Sequence, residues 1–169
     1  MTKLTDIKEW LFNELNTDNV NKVPELLLEK IFKDREGMFD SYLKLVDNDL
    51  KTDYLQKFYQ YYLSDRDNLG QDYTPKSLAR LVSYLTGEEE DISDVCCGSG
   101  ALTIQKWVEN KNIRVHLYEL DSTVIPFLIF NMAVRKIPSI IYQGDILSQK
   151  IEKVYIISNG EVKNGSSDI

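Results

Sequence analysis

The sequence is poor in the residues that staple small proteins or bind metal. Its 169 residues include one histidine and two cysteines, and the cysteines, Cys96 and Cys97, are neighbours. Adjacent cysteines do not bridge distant parts of a chain, and with His116 as the single imidazole they do not make a four-ligand site. Neither a disulfide framework nor a metal centre is expected. Long apolar runs are also lacking: there is no leader-like apolar segment at the amino terminus and nothing near the ~20 residues that cross a bilayer. The expectation is a soluble, cytoplasmic protein. Positive charge is scarce as well, since 20 lysines and arginines against 27 acidic residues leave a net charge of −7, with the two signs interleaved. Such a chain does not grip nucleic-acid phosphates by itself, so any contact with DNA needs a partner or a local patch.

What the chain does have is apolar material for a core, at 43% of residues, which suits one domain with an appendage. Ile7, Trp10, Leu11 and Leu15 recur at helical spacing and predict a helix over 5–16. Pro24 fits the first turn of a second helix that carries Leu27, Leu28, Ile31 and Phe32 to about 36–37, and a third runs over 38–46. Asp47 or Asn48 would cap a fourth, presenting Leu50, Tyr54, Leu55, Phe58, Tyr61 and Tyr62. These aromatics lack interleaved basic residues, so they read as packing surface rather than a platform for bases. Residues 1–68 are thus expected to form a helical subdomain that packs on the rest of the chain or on a partner.

Residues 69–158 have a different texture. A helix over 77–85, with Thr74 as its cap, is followed by a strand (91–95), a helix (101–109), a strand (113–120), a helix (123–136), and strands at 138–142 and 153–158. Alternation of this kind predicts an α/β fold, a parallel and doubly wound sheet of about four strands. Residues 159–169 show no apolar period and read as a flexible tail.

The alternating part is organised around Asp94-Val95-Cys96-Cys97-Gly98-Ser99-Gly100. An aspartate closes a strand, and Gly98 and Gly100 clear side chains from a turn that opens a helix, as close approach of backbone to a nucleoside requires. Glu119, at the tip of the second strand with Leu120 beside it, is placed to accept hydrogen bonds from both ribose hydroxyls. Asp145, just past the third strand, can accept from an adenine amino group while Ile146 packs on the ring. Acidic strand ends on one edge of a sheet suggest a nucleoside crevice.

With these residues in place the sequence resembles the adenine-N6 DNA methyltransferases, especially the modification subunits of type I restriction systems. Gly70-Gln71-Asp72-Tyr73-Thr74-Pro75 is similar to the family's Gly-Gln-aromatic-aromatic-Thr-Pro segment, and Asp94–Gly100 to its Asp-Pro-Ala-Cys-Gly-Ser-Gly loop, with Val95 for the proline and Cys96 for the alanine. Glu119 with Asp121, Asn131-Met132 and Gly144-Asp145 match further pieces in the family's order. The resemblance implies a Rossmann-like methyltransferase core with S-adenosylmethionine as cofactor. The residues that would hold it are Gly70, Gln71, Tyr73, Thr74, Pro75, Asp94, Cys96, Gly98, Gly100, Glu119, Leu120, Asp145 and Ile146. Cys97 reads as a small loop residue rather than a nucleophile.

The sequence departs from the family after the fourth strand. Where the family carries Asn-Pro-Pro-aromatic, which clamps a flipped adenine, this chain has Asn159-Gly160-Glu161-Val162. Asn159 falls at the first, catalytic position, without the prolines or the aromatic. The implication is a cofactor-binding protein that is catalytically deficient alone. Two alternatives stand beside it: an active methyltransferase subunit completed by a partner chain, and a non-enzymatic interaction module on a methyltransferase scaffold. The expected partners are another methyltransferase or restriction subunit, or a second copy, joined through the helical subdomain or an uncovered fourth strand.

Overall fold

A computed structural model describes residues 2–65 and 73–166. The amino-terminal part is helical: α1 (Leu4–Leu15), a 3-10 turn (Val20–Lys22), α2 (Val23–Lys33), α3 (Arg35–Leu45) and α4 (Tyr54–Tyr62). Helix α1 begins where the Asp6 carboxylate accepts from the Lys3 N–H at 2.7 Å and buries the predicted Ile7, Trp10, Leu11 and Leu15. The second break comes at Asp34, in a non-helical conformation (φ −156°, ψ 66°), earlier than the expected 36–37. Asp47 and Asn48 do not cap a helix. Both are left-handed (φ 51° and 57°) and follow the end of α3, a conformation that Asp and Asn tolerate as readily as an N-cap. The cap of α4 is Asp53, whose Oδ1 accepts from the Gln56 N–H at 2.9 Å.

The second part runs α5 (Lys76–Leu85), β1 (Asp91–Val95), α6 (Ala101–Glu109), β2 (Arg114–Glu119), α7 (Ile125–Val134), β3 (Ser139–Asp145), β4 (Lys150–Ser158) and β5 (Glu161–Asn164). Pro75 rather than Thr74 occupies the N-cap of α5, without a side-chain cap bond. The α/β architecture stands, and the five strands lie in the order β1-β2-β3-β4-β5. β1, β2 and β3 are parallel.

β4 is antiparallel to β3, and β5 to β4. The expected parallel fourth strand and second winding are therefore corrected. The chain steps from β1 to β2 to β3 in one direction, and right-handed crossovers then put α6 and α7 on the same face. A doubly wound sheet needs the chain to return past β1. Instead it reverses through the short link 146–149, too short for a parallel crossover. Gly144 makes the reversal possible: a Cβ there would lie 2.2 Å from the Lys150 carbonyl oxygen, at the register shift between Gln143 and Gly144. β4 is also an interior strand, between β3 and β5, and among the described residues the edges of the sheet are β1 and β5 rather than β4.

Residues 159–164 are not a tail. Asn159 and Gly160, both at positive φ (49° and 83°), make the two-residue turn of a hairpin, for which Asn-Gly is the preferred pair. Val162 turns into the core at 7% exposure.

Helix α7 lies between the sheet and the amino-terminal helices, and all ten of its residues are buried. Phe130 meets Trp10, Phe39 and Tyr42 with ring centroids 5.7, 5.2 and 5.0 Å away. Phe127 meets Phe58 and Tyr59 at 6.0 and 5.6 Å. One hydrophobic core thus runs from α1 to β5. Among the described residues no helix is long and apolar enough to cross a membrane.

Candidate cofactor site

The carboxyl ends of β1, β2 and β3 lie together, since Val95 is in register with Tyr118 and Glu119 with Gln143. Between them sits the turn Cys96–Gly100. Cys96, Gly98 and Gly100 all have positive φ (59°, 57° and 92°). The two glycines serve different needs. A Cβ at Gly100 would come within 2.7 Å of Met132 Cε and 3.0 Å of Leu128 Cδ1, so its absence lets α7 close on the turn, whereas a Cβ at Gly98 would meet nothing within 4 Å. Gly98 therefore leaves open space beside the turn, at a positive φ that favours glycine.

Glu119 ties the turn to the tip of β2. Its Oε2 accepts from the Gly98 N–H at 2.8 Å and its Oε1 from the Asp121 N–H at 2.9 Å. Each oxygen keeps a further acceptor site, because a carboxylate offers about four, so ribose hydroxyls can be taken without releasing the turn. Asp94 points toward α6 and accepts from Thr103 Oγ1 at 3.0 Å. Burial raises its carboxyl above the usual range against the lowering effect of that hydroxyl, and the Glu119 charge adds to the rise. Cys97 is buried, and burial together with the charges of Asp94 and Glu119 pushes its thiol well up. It is a packed thiol of low nucleophilicity.

Asp145 stands at the exposed end of β3, where the Ser148 side chain and the Leu147 N–H hold its carboxyl below the usual range; the Leu147 bond is 2.9 Å. Ile146 follows it in the link to β4, and Leu120 is 58% exposed beside Glu119. Tyr73 reaches the same end of the sheet. Its ring packs edge-on to Tyr59 at 6.0 Å, and burial, then the proximity of Tyr59, Asp121 and Glu119, raises its phenol. Thr74 and Pro75 follow directly, and Lys76 Nζ donates to Thr52 Oγ1 at 3.0 Å. Gly70 and Gln71 lie outside the described residues.

Asn159 is not brought to this end. It follows Ser158 at the far end of β4, where Ile157 pairs with Ser139, the first residue of β3. The antiparallel course of β4 carries it to the opposite end of the sheet from Gly98 and Glu119, and its assignment as a catalytic residue is corrected accordingly.

Around the turn a polar network joins Ser99, Asn131 and Asp121, which stand in the matched segments, to Asp53, Tyr59 and Arg135, which carry no motif in the sequence. Ser99, 1% exposed, donates its hydroxyl to Asp53 Oδ2 at 2.7 Å, and its carbonyl accepts from Asn131 Nδ2 at 2.9 Å. Arg135 donates from Nη1 to Asn131 Oδ1 at 2.9 Å and reaches the carbonyls of Leu50 and Thr52 at 2.8 and 3.0 Å. Tyr59 donates to Asp121 in a short hydrogen bond and lies 2.7 Å from Thr123 Oγ1. A polar asparagine within the otherwise apolar run Ile125–Val134 is a further local cue to this network.

A family model described as N-6 DNA methylase matches residues 47–162, well over half of the chain. Among solved structures, a Listeria monocytogenes protein described as a class I S-adenosylmethionine-dependent methyltransferase is similar in fold, with a TM-score of 0.50 and 16% identity over 84% of this chain. The match covers 53% of that protein, so this chain spans about half its length. No curated protein matches the sequence.

Proposed function

Because the chain belongs to the N-6 DNA methylase family, we propose that it binds S-adenosylmethionine at the carboxyl ends of β1, β2 and β3 as the cofactor-holding half of an adenine-N6 methyltransferase. The observation that carries the reading is the open Gly98 turn held against Glu119. Gly98 and Gly100 keep the approach clear, Glu119 receives the ribose hydroxyls, Asp145 with Ile146 receives the adenine, and Tyr73-Thr74-Pro75 borders the methionine end. The bound sulfonium supplies the activated methyl group. The chain's own residues bind and orient it, and orientation is the larger need in transfer to an exocyclic amine.

Titration calorimetry of the protein with S-adenosylmethionine and S-adenosylhomocysteine, with ATP and NAD as controls, tests the proposal. Saturable heat with the first two only is the expected result, and Glu119→Ala should weaken binding about tenfold or more. No heat and no thermal shift with either ligand would overturn it.

A second reading, that transfer needs a further chain, is favoured by the open side of β1. Ligand crevices in such sheets form where the strand order reverses, and among the described residues no strand pairs with the outer edge of β1. Helix α5, packed on α6, exposes Leu78, Leu81 and Leu85 at 48%, 53% and 73%, an apolar face of the kind that partners cover. The described residues form one wall of the crevice, and a further chain would supply the other. The purified protein saturated with labelled cofactor is expected to leave adenine-containing DNA unmethylated, and incorporation by the chain alone would refute this reading.

A further inference from the structure

The helices before the sheet do more than complete its core. Two successive residues of the Cys96–Gly100 turn are held by carboxylates from different parts of the chain: the Gly98 N–H by Glu119 of β2, and the Ser99 hydroxyl by Asp53 at the start of α4. Asp53 is 7% exposed and Ser99 1%, so water does not compete for their bond, and a hydroxyl donating to a buried carboxylate is among the stronger hydrogen bonds. The other side of Ser99 is fixed as firmly. Its carbonyl takes the Asn131 amide, and Asn131 is oriented by Arg135, which also holds the Leu50 and Thr52 carbonyls of the segment leading into Asp53. Ser99 is thus closed into a ring of buried polar contacts running through the α3–α4 link, α7 and the turn.

We propose that Asp53 is a positioning residue of the cofactor turn: its carboxylate, acting through Ser99, sets the conformation in which Gly98 and Gly100 receive the ligand, and so couples the helical part of the chain to cofactor affinity. The proposal rests on the cofactor reading given above for the consequence in affinity, but not for the conformation of the turn. Asp53 has two separable duties. One oxygen caps α4 through Gln56 and the other holds Ser99. Asparagine is as good an N-cap as aspartate, so Asp53→Asn keeps the first duty and replaces the charge-assisted bond of the second with a weaker neutral contact, whereas Asp53→Ala removes both. Ser99→Ala removes the second alone.

Three readouts separate the outcomes: the melting temperature, amide hydrogen exchange across 96–100 in the unliganded protein, and the S-adenosylmethionine dissociation constant. For Asp53→Asn the expected result is melting close to wild type, exchange in the turn faster by about tenfold, and affinity lower by about tenfold, the scale of one hydrogen bond to a charged group. Ser99→Ala should reproduce the exchange and affinity changes, and the double variant Asp53→Asn/Ser99→Ala should be no weaker than the worse single one. If Asp53→Asn restores turn exchange and affinity to wild-type values while Asp53→Ala loses both along with its melting temperature, Asp53 is a helix cap only and the proposal is overturned. If the turn loosens in Asp53→Asn while even the wild-type protein binds no S-adenosylmethionine, the positioning role stands and the cofactor reading fails.

Discussion

The two faces of the sheet differ in what covers them, although they are built from the same strands. Leu117 and Tyr118 are consecutive in β2 and point to opposite sides. Leu117 lies wholly buried among Val115, Ile141 and α7. Tyr118 stands on the other face, stacked on Tyr142 at 4.6 Å and 12°, in register with Val95, which is 57% exposed, and on the same face as Ile156, which is 41% exposed. The contrast follows from winding. A chain that advances through three parallel strands in one direction deposits all its crossover helices on one side, and only a return past β1 would bring helices to the other. The helix-covered face carries the shared hydrophobic core, whereas the other is buried at Tyr142 and Val154 and open at Val95 and Ile156.

Truncating neighbours on opposite faces sharpens this difference. Leu117→Ala should cost about 2–5 kcal/mol in urea unfolding, the range for a large aliphatic side chain removed from a packed core. Tyr118→Ala, though it removes a bigger side chain, should cost about 1 kcal/mol, the scale of a surface aromatic pair. A cost for Tyr118→Ala equal to that of Leu117→Ala would break the comparison and mean that this face is covered in solution. Asp94→Asn should have the smallest effect and the opposite sign. Burial raises the Asp94 carboxyl in the folded protein, so the folded state holds that proton more tightly than the unfolded chain, and stability falls as pH rises through the interval between the usual carboxylate range and the raised value. Above that interval the ionised, buried group carries its full penalty. Asp94→Asn should therefore be slightly more stable than wild type near neutral pH, with the gain disappearing below the usual carboxylate range. Paired melting curves across pH check this, and a loss at neutral pH would contradict it.

The features that were legible in the sequence are those whose cause is local. The apolar spacing of Ile7, Trp10, Leu11 and Leu15 placed α1, and the Asp94–Gly100 turn was readable because glycine is needed there for backbone reasons. The direction of β4 was not legible, because side-chain type does not encode strand direction. The cue is the length of the link, and a strand taken to start at Lys153 leaves a link long enough to obscure what the true start at Lys150 makes plain. The hairpin at Asn159-Gly160 carried its turn signal, yet β5 has one buried apolar residue, Val162, too few to show an alternation. Asp53 was invisible for another reason. Its partner Ser99 is 46 residues away, and nothing near Asp53 in the sequence marks a carboxylate as buried.

The margins of the sheet carry a consequence for how the protein behaves in concentrated solution. β5 is four residues long, with Glu161 and Lys163 exposed on it, and short charged borders of this kind discourage the addition of further strands. β1 lacks that protection: Asp91 is engaged with Arg114 at 2.8 Å, and beyond it Ser93 and Val95 present an uncharged border. By the alternation of a parallel ladder, in which the Glu90 carbonyl faces β2 to accept from Arg114, the odd-numbered residues of β1 turn their N–H and C=O groups outward. Self-association of the isolated chain should therefore start at β1, and a lysine at Ser93 is the smallest change that would raise its solubility.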